Sequence, residues 1–169
     1  MMSIFRCLDG LLIITLCNSC VATSGMGTAV VSTVDSLPCF SVPQNSETKG
    51  GVPLYALGVT KMNAPGVSGY PKEVWYFRIA PPGNTVLTRP DQCIRYGSLP
   101  VSAQQEEFEQ LESNQVYSVY MQAVPEKSNL QGYKAGFCMK PHGDGSRKVV
   151  VIPWDQVKKK WQYDLCAKP

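Results

Sequence analysis

Cysteine is the residue type whose number and spacing first suggest chemistry in this chain. Seven cysteines are present, and in an exported, oxidised chain an odd number leaves one thiol unpaired. Three lie near the N-terminus and four are spread over the remaining sequence: Cys7, Cys17 and Cys20, then Cys39, Cys93, Cys138 and Cys166. None of the last four has the CxxC or Cys/His spacing of a zinc or redox site, so neither chemistry is indicated for them.

The N-terminal segment has the features of an export signal. Arg6 precedes the apolar run 11–16, which is much shorter than the about 20 residues that cross a bilayer. A basic residue, a short apolar stretch and small residues before a cut are typical of a signal that is removed after export. We therefore expect residues 1–19 to be a signal peptide of the lipoprotein type.

Cys20 is the expected site of lipid attachment. Such signals are cut after a small residue and before a cysteine, and Ser19 precedes Cys20, whereas the bulky Leu16 precedes Cys17. Two features depart from the usual motif, because Cys17 stands where leucine is common and Asp9 weakens the basic start. A plain signal peptide cut near "VATSG" and an unprocessed N-terminal helix are the alternatives.

Processing of this kind leaves an even number of cysteines for disulfides. The two cysteines before Cys20 leave with the signal, and the Cys20 thiol is alkylated. An oxidising periplasm favours disulfides, each of which contributes about 2 to 4 kcal/mol. Four cysteines allow three pairings, among which the sequence alone does not choose; we expect Cys39 with Cys93 and Cys138 with Cys166.

Catalytic side chains are sparse. The single histidine, His142, lies in one Gly-rich turn with Asp144 and Ser146. Three groups crowded into one turn do not easily point at a common atom, and triads gather from separate segments, so we interpret this turn as solvated. His142 and Asp144 alone are too few ligands for a metal, and no phosphate loop or dinucleotide fingerprint is present. We expect no enzyme activity, no metal and no cofactor.

The acidic run 104–112, "QQEEFEQLE", is the other place where catalysis could be sought. Glycosidases pair two carboxylates for acid–base chemistry. A short surface helix or loop is the favoured interpretation, because Ser102 and Gln105 have the spacing of a capping box. Phe108 and Leu111 would anchor its apolar side.

The composition and the positions of the glycines and prolines predict an all-β domain. The formal net charge of +3 is too mild to indicate nucleic-acid binding. The 14 glycines and 13 prolines separate short apolar runs, as turns separate strands. The expected strands are 37–42, 54–61, 73–79, 92–96, 115–124, 132–140 and 148–153. Seven short strands predict a β-sandwich.

Alternating polarity predicts which side chains face the core. Residues of one strand that point the same way recur at every second position. Three inward sets follow: Tyr117, Val119, Met121 and Ala123; Tyr133, Ala135, Phe137 and Met139; and Trp75, Phe77 and Ile79. Cys138 falls on the opposite face from Phe137, so its expected bridge would lie on the outer surface of the sheet.

The segment 20–36 is expected to connect the signal to the folded domain, 37–169. It is small, polar and nearly uncharged, which favours a flexible tether. The alternative for its second half is that "TAVVSTV" begins the sheet as an edge strand.

One local pattern is more specific. Leu111 lies six residues before Tyr117, at the entrance to an alternating strand. This spacing is similar to the tyrosine corner of immunoglobulin-like and fibronectin type III domains, in which the phenol hydrogen-bonds the backbone of the preceding turn. Trp75 on an earlier strand agrees with such a fold. The alternative is a tyrosine that merely suits a strand.

The C-terminal segment has the spacing of an amphipathic helix. Four apolar residues recur three and four positions apart: Trp154, Val157, Trp161 and Leu165. We expect a short helix that packs on the sandwich, with 158–160, three lysines, in solvent. Contact of this basic face with anionic lipid headgroups is the alternative.

Six features of the chain carry a family resemblance: Cys20, "CFSVP" at 39–43, "VWYFRI" at 74–79, "QCIRYG" at 92–97, "YSVYM" at 117–121 and "YKAGFCM" at 133–139. Taken together, they resemble the type VI secretion immunity periplasmic lipoproteins of Gram-negative bacteria. The resemblance extends to about residue 140, and 142–169 departs from the family pattern.

The resemblance implies a lipid-anchored protein of the periplasm that binds and neutralises a toxic effector. Its partners would be the cognate toxin and, through acyl chains such as palmitate, the membrane. Val21 after Cys20, in place of aspartate, resembles lipoproteins sorted to the outer membrane. A structural or adhesive envelope lipoprotein that binds another envelope component is the alternative, and a hydrolase that depends on His142 is the least favoured.

Overall fold

The fold was analysed in a computed structural model that describes residues 25–63, 68–79, 85–100, 103–105, 108–124 and 130–167. The expected signal peptide 1–19 and Cys20 lie outside these residues. The strands, in chain order, are β1 (Met26–Thr28), β2 (Val30–Val34), β3 (Leu37–Ser41), β4 (Val52–Lys61), β5 (Lys72–Ile79), β6 (Val86–Thr88), β7 (Ile94–Arg95), β8 (Ala103–Gln105), β9 (Val116–Ala123), β10 (Gly132–Pro141), β11 (Arg147–Ile152), β12 (Trp154–Asp155) and β13 (Lys160–Trp161). The prediction of an all-β chain is confirmed.

The larger sheet has eight strands in the order β1-β10-β9-β4-β5-β8, with β11 also paired to β10 and β6 also paired to β4. All of its pairs are antiparallel except β1 with β10. Both β1 and β11 lie on the edge of β10 opposite β9, since Ser113 and Asn114 meet Met139 from the β9 side. One edge of β10 is therefore shared by β1, the first described strand, and β11, the last strand of this sheet in chain order.

A second sheet of three strands, in the order β2-β3-β7, packs against the inner face of the first. The hairpin between β2 and β3 turns at Asp35 and Ser36, both with positive φ, as tight two-residue hairpins require. Phe40 of β3 joins the layers: its ring centroid lies 6.2 Å from that of Trp75 and 5.6 Å from that of Phe137. The core therefore lies between the two sheets.

The core residues are those that alternation predicts. All three inward sets, from β5, β9 and β10, are at most 4 % exposed. Leu57 and Val59 of β4 and Phe40 of β3 add to the same cluster, and each is fully buried. At about 1.5 to 3 kcal/mol for each large side chain, this burial is the main stabilising contribution to the fold.

The N-terminal part of the domain corrects the tether prediction. Residues 25–36 are strand and turn, because β1 pairs with β10 and β2 pairs with β3. Val31 and Ala29 are buried, so this segment contributes to the core. The edge-strand alternative for "TAVVSTV" describes 28–34 better than a tether, since valine and threonine suit a half-buried strand.

The predicted C-terminal helix is wrong between 154 and 161, where β12 and β13 form a hairpin. The Asp155 carboxylate accepts hydrogen bonds from the Val157 and Lys158 N–H groups, which favours a turn, and Lys159 has a φ of 50°, which a helix does not allow. In the part of the chain that the structure describes, the helical structure is one 3-10 turn, Tyr163–Cys166. Trp154 and Trp161 are seven residues apart, a spacing that would place them on one face of a helix. The same spacing also allows them to pair across a hairpin, as they do here.

The acidic run, expected to be a short surface helix or loop, is a loop over 108–112. Its first residues belong to β8, which pairs with β5 at the edge of the sheet. Leu111 is buried, whereas Phe108 is 52 % exposed and contacts the edge of the Tyr96 ring. Leu111 therefore anchors this segment to the core.

Candidate functional site: an exposed sheet face

The four cysteines expected to form disulfides do so in the expected pairing. Cys39 of β3 is bonded to Cys93, just before β7, so this bridge lies within the smaller sheet. Cys138 of β10 is bonded to Cys166 in the 3-10 turn. The second bridge fastens the C-terminal segment to the outer face of the larger sheet, where Ile152 and Trp161 pack around it.

Tyr117 makes the hydrogen bond that a tyrosine corner requires. The Glu112 N–H donates to the Tyr117 hydroxyl oxygen at 2.8 Å, and Leu111 packs into the core beside it. Burial raises the pKa of Tyr117 above 10.0, and the Glu112 N–H opposes this shift. Lys61 pairs with the Glu112 carboxylate at 2.6 Å, and this hydrogen bond raises the pKa of Lys61. The turn before β9 is therefore held by the Glu112 backbone N–H, which bonds Tyr117, and by the Glu112 side chain, which pairs with Lys61.

A second tyrosine clamp was not predicted from the sequence. Tyr96, 4 % exposed, donates its hydroxyl hydrogen to the Glu109 carbonyl at 2.7 Å, with the Val74 carbonyl 3.2 Å away. Burial raises the pKa of Tyr96 well above 10.0. The position of Tyr96, three residues after Cys93, is the sequence signal that could have identified it, because the disulfide fixes the start of β7, directly before Tyr96.

The His142 turn does not have the geometry of a catalytic triad. The Ser146 hydroxyl donates to Asp144 at 2.6 Å, and His142 Nδ1 accepts from the Gly143 N–H at 2.8 Å. His142 Nδ1 lies 4.0 Å from Asp144, and both side chains are more than half exposed. The Ser146 hydroxyl lowers the pKa of Asp144, with help from the Ser146 N–H. Ser146 therefore hydrogen-bonds Asp144 and not His142, and this bond stabilises the turn between β10 and β11.

Metal ligands do not gather in the part of the chain that the structure describes. Within those residues no three His, Cys, Asp or Glu side chains lie close enough to share an ion. The four cysteines found there are all held in disulfides, which removes their thiolates as ligands.

The outer face of the larger sheet carries an aromatic notch around Gly58. This glycine of β4 pairs with Tyr76 on β5 and with Tyr120 on β9, so a residue without a side chain separates two tyrosines. A Cβ on Gly58 would lie 3.3 Å from Tyr76 Cδ2 and 3.4 Å from Glu73 Oε2. The absence of that atom leaves a depression between the rings. We call it the tyrosine notch.

The tyrosine notch encloses about 180 Å³ and has charged residues around it. Its lining residues are Ala56, Leu57, Gly58, Thr60, Glu73, Tyr76, Tyr120 and Gln122. Glu73 and Arg78 of β5 and Lys134 of β10 are exposed. Tyr120 is 37 % exposed. Lys134 pairs directly with Tyr120 across the sheet. The face thus combines aromatic surface with charges of both signs.

A larger cavity, of about 510 Å³, lies where the C-terminal segment meets the ends of β4 and β9. It is lined by Met62, Asn63, Asn114, Gln115, Val116, Tyr163, Asp164, Cys166 and Ala167. A groove of about 150 Å³ shares Met62, Val116 and Tyr163 with it and extends past Trp161 to Lys134. The concave surface therefore continues from the C-terminal segment towards the tyrosine notch.

Comparison with protein-family models, with curated protein sequences and with solved structures found no match for this chain. In the described residues, no helix is both long and apolar enough to cross a membrane.

The sequence predicted the strands that form the tyrosine notch, but not the residues of the notch itself. It identified β4, β5 and β9 and their inward side chains. The outward residues Gly58, Tyr76 and Tyr120 were not singled out, because their meeting depends on the register between three strands. The available signal was a tyrosine at an outward position of each of the two strands that flank β4.

Proposed function

We propose that this chain is a lipid-anchored periplasmic binding protein that neutralises a toxic effector delivered by type VI secretion. The observation that carries the proposal is the exposed sheet face with its tyrosine notch, on a domain braced by two disulfides. The resemblance of the sequence to immunity lipoproteins supplies the class of partner. Its inhibition requires no catalysis, since occlusion of the toxin is sufficient.

We further propose that the domain is an immunoglobulin-like sandwich. Strands β9 and β10 would correspond to the hairpin that follows the tyrosine corner, with β4 beside it. The smaller sheet, with β3 between β2 and β7, would be the opposing layer. Two features depart from antibody domains: Trp75 lies on β5, outside the β4–β9 pair, and Cys39–Cys93 stays within one layer.

The chemistry of the exposed face supports a protein partner. Tyrosine is enriched at protein interfaces because it buries a large rigid surface and retains a hydroxyl for hydrogen bonding. The tyrosine notch has room for one protruding side chain, and an interface of ordinary size would bury about 1,600 Å² in total. Glu73 and Lys134 at its borders would favour a partner with matching charges.

The proposal is tested by co-purification with the periplasmic effectors encoded beside its gene, followed by titration calorimetry. We expect one neighbouring effector to form a stable complex with the wild-type chain. Tyr76→Ala and Tyr120→Ala should each weaken that complex by about 5- to 30-fold, as truncation of a central aromatic residue does.

Leu99→Ala is the matched control. Leu99 is 41 % exposed, close to the 37 % of Tyr120, but it follows β7 of the smaller sheet. Its truncation should leave the affinity unchanged. The proposal is wrong if no neighbouring effector binds, and the choice of face is wrong if Leu99→Ala weakens binding as much as the two tyrosine variants do.

A structural or adhesive envelope protein is the second candidate. The mixed charges of the outer face would serve an envelope component as well as a toxin. A gene neighbourhood without secretion or toxin genes, together with loss of envelope integrity on deletion, would favour it.

A further inference from the structure

The hairpin formed by Trp154–Trp161, called here the basic hairpin, presents an apolar residue within a cluster of lysines. Trp154 pairs with Trp161, and their ring centroids lie 5.4 Å apart with edge-to-face geometry. Asp155 accepts the N–H groups of Val157 and Lys158 at 2.9 and 2.8 Å, which shapes the tip. These hydrogen bonds use the backbone of Val157 and Lys158, and the side chains of both residues remain exposed.

Exposure at the tip is unusual for an apolar residue. Val157 is 92 % exposed and Trp154 is 39 % exposed. The next three residues, 158–160, are exposed lysines. The Asp155 side chain is only 14 % exposed and lies 3.9 Å from Lys158, so it offsets one of three positive charges. The outward surface of the hairpin is therefore apolar and basic.

We propose that the basic hairpin contacts the surface of an anionic phospholipid membrane. Lysines near such a surface are attracted to headgroup phosphates, and tryptophan favours the boundary between headgroups and acyl chains. Val157 enters the headgroup layer, where its exposed methyl groups leave water. Lys159 and Lys160 contact phosphates on either side.

The position of the hairpin in the fold agrees with this contact. Ile152, the last residue of β11, lies opposite Gly136, while Met26 lies opposite Gly132 on the same edge of β10. Four strand positions separate the two points, about 13 Å. If Cys20 carries the lipid, as the proposed function states, the five residues from it to Gly25 span at most about 18 Å. The anchor therefore holds this edge of the sheet close to the bilayer.

The surface chemistry favours lipid over protein. Lysine is depleted from the buried centre of protein interfaces, and a hairpin tip of four residues offers far less than the about 1,000 Å² that a stable complex buries. Lipid headgroups, in contrast, accept flexible lysines without ordering them. Val157 needs no pocket there, only a layer that it can enter.

Tryptophan fluorescence with brominated lipid tests the contact in the full-length chain carrying Cys20→Ser. Vesicles of equal phosphatidylglycerol and phosphatidylcholine, with brominated acyl chains, should quench the two hairpin tryptophans, Trp154 and the partly buried Trp161. Trp154→Phe should reduce that quenching to the part that Trp161 contributes. Lys158→Glu with Lys159→Glu should reduce it by about threefold or more. Lys140→Glu with Lys148→Glu makes the same change in charge on β10 and β11 and should leave it unchanged.

The design separates the hairpin from any other attachment. Residues 1–24 are the same in every variant, so differences in quenching report the hairpin alone, and Trp75 is 1 % exposed in the core, beyond the reach of lipid. Val157→Asp is a second variant that leaves all three lysines in place and should also lose quenching.

Equal quenching in pure phosphatidylcholine, or none with either lipid, would overturn the proposal. So would photocrosslinking from position 157 to a protein instead of lipid in cell envelopes. Loss of the acyl label in a separate Cys20→Ser experiment concerns the anchor, so failure of the anchor and failure of the hairpin contact give different results.

Discussion

Two buried tyrosines hold the loops that enclose the core. Tyr117 accepts a backbone N–H from Glu112, and Tyr96 donates to the Glu109 carbonyl. Both partners lie in the segment between β8 and β9, whose described residues, 108–115, belong to neither strand. The phenols thus replace the ladder bonds that a regular strand would supply, and they fix the entrance to β9, which carries Tyr120 to the exposed face.

Tyr117→Phe should destabilise the domain by about 1 to 3 kcal/mol, because the Glu112 N–H would lose its acceptor in a partly buried site. Tyr120→Phe removes the same atom from an exposed side chain and should change stability by less than about 0.5 kcal/mol. Urea denaturation measures both. Equal stability of the two variants would show that the Tyr117 hydrogen bond contributes nothing.

Stability should fall in alkali. Burial raises the pKa of both Tyr96 and Tyr117 above the ordinary 10.0, so the unfolded chain loses these protons first. Their contribution is complete below about pH 10 and is lost as pH rises above it, by up to about 1.4 kcal/mol per pH unit for each tyrosine. Unfolding free energies between about pH 9 and about pH 11 should show a smaller slope in Tyr96→Phe. An unchanged slope would refute this assignment.

At the scale of secondary structure, the hydrophobic pattern predicted the strands that have one face packed in the core. Each of the seven expected strands overlaps an observed one, since alternation over five or more residues specifies a buried face. The short strands β1, β6, β8, β12 and β13 escaped prediction because pairing with a neighbour, rather than their own pattern, makes them strands. The segment 154–161 shows the limit: Asp155 and Lys159 decide for a hairpin where the apolar spacing fits a helix equally well.

The bridge between Cys138 and Cys166 should hold the C-terminal segment on the sheet. Replacing both residues by alanine should cost about 3 to 4 kcal/mol, from the 28-residue separation of the two cysteines. It should also speed hydrogen exchange at the Gln162 N–H, which donates to Pro153, by at least about tenfold.

Alanine at both Cys39 and Cys93 is the matched control for that exchange measurement. This bridge lies in the smaller sheet, so its loss should lower global stability while native-state exchange at Gln162 changes little. Equal acceleration in both variants would mean that the C-terminal segment is not held locally by its own disulfide.

At the scale of the whole molecule, three features have defined positions on the larger sheet. The chain enters and leaves the larger sheet on the same edge of β10, the tyrosine notch lies across the outer face, and the basic hairpin follows β11. The proposed membrane-anchored inhibitor would need this division, since one region would face the membrane while another stays open to the toxin. The all-β class and the two disulfides followed from the sequence. The proposed binding face did not, because it depends on the register of distant strands.

Acylation of Cys20 is the prediction that places the molecule at the envelope. Cys20→Ser should abolish incorporation of labelled palmitate, whereas Cys17→Ser, which alters the neighbouring cysteine, should retain it. Label in both variants, or in neither, would contradict lipidation at Cys20.

Survival of cells that export the effector to their own periplasm tests the central claim most directly. With the neighbouring effector expressed, cells that carry the wild-type chain should grow, and cells that carry Tyr76→Ala with Tyr120→Ala at the same protein level should die. Growth that is independent of the chain, or equal death with and without it for every effector encoded nearby, would contradict the account.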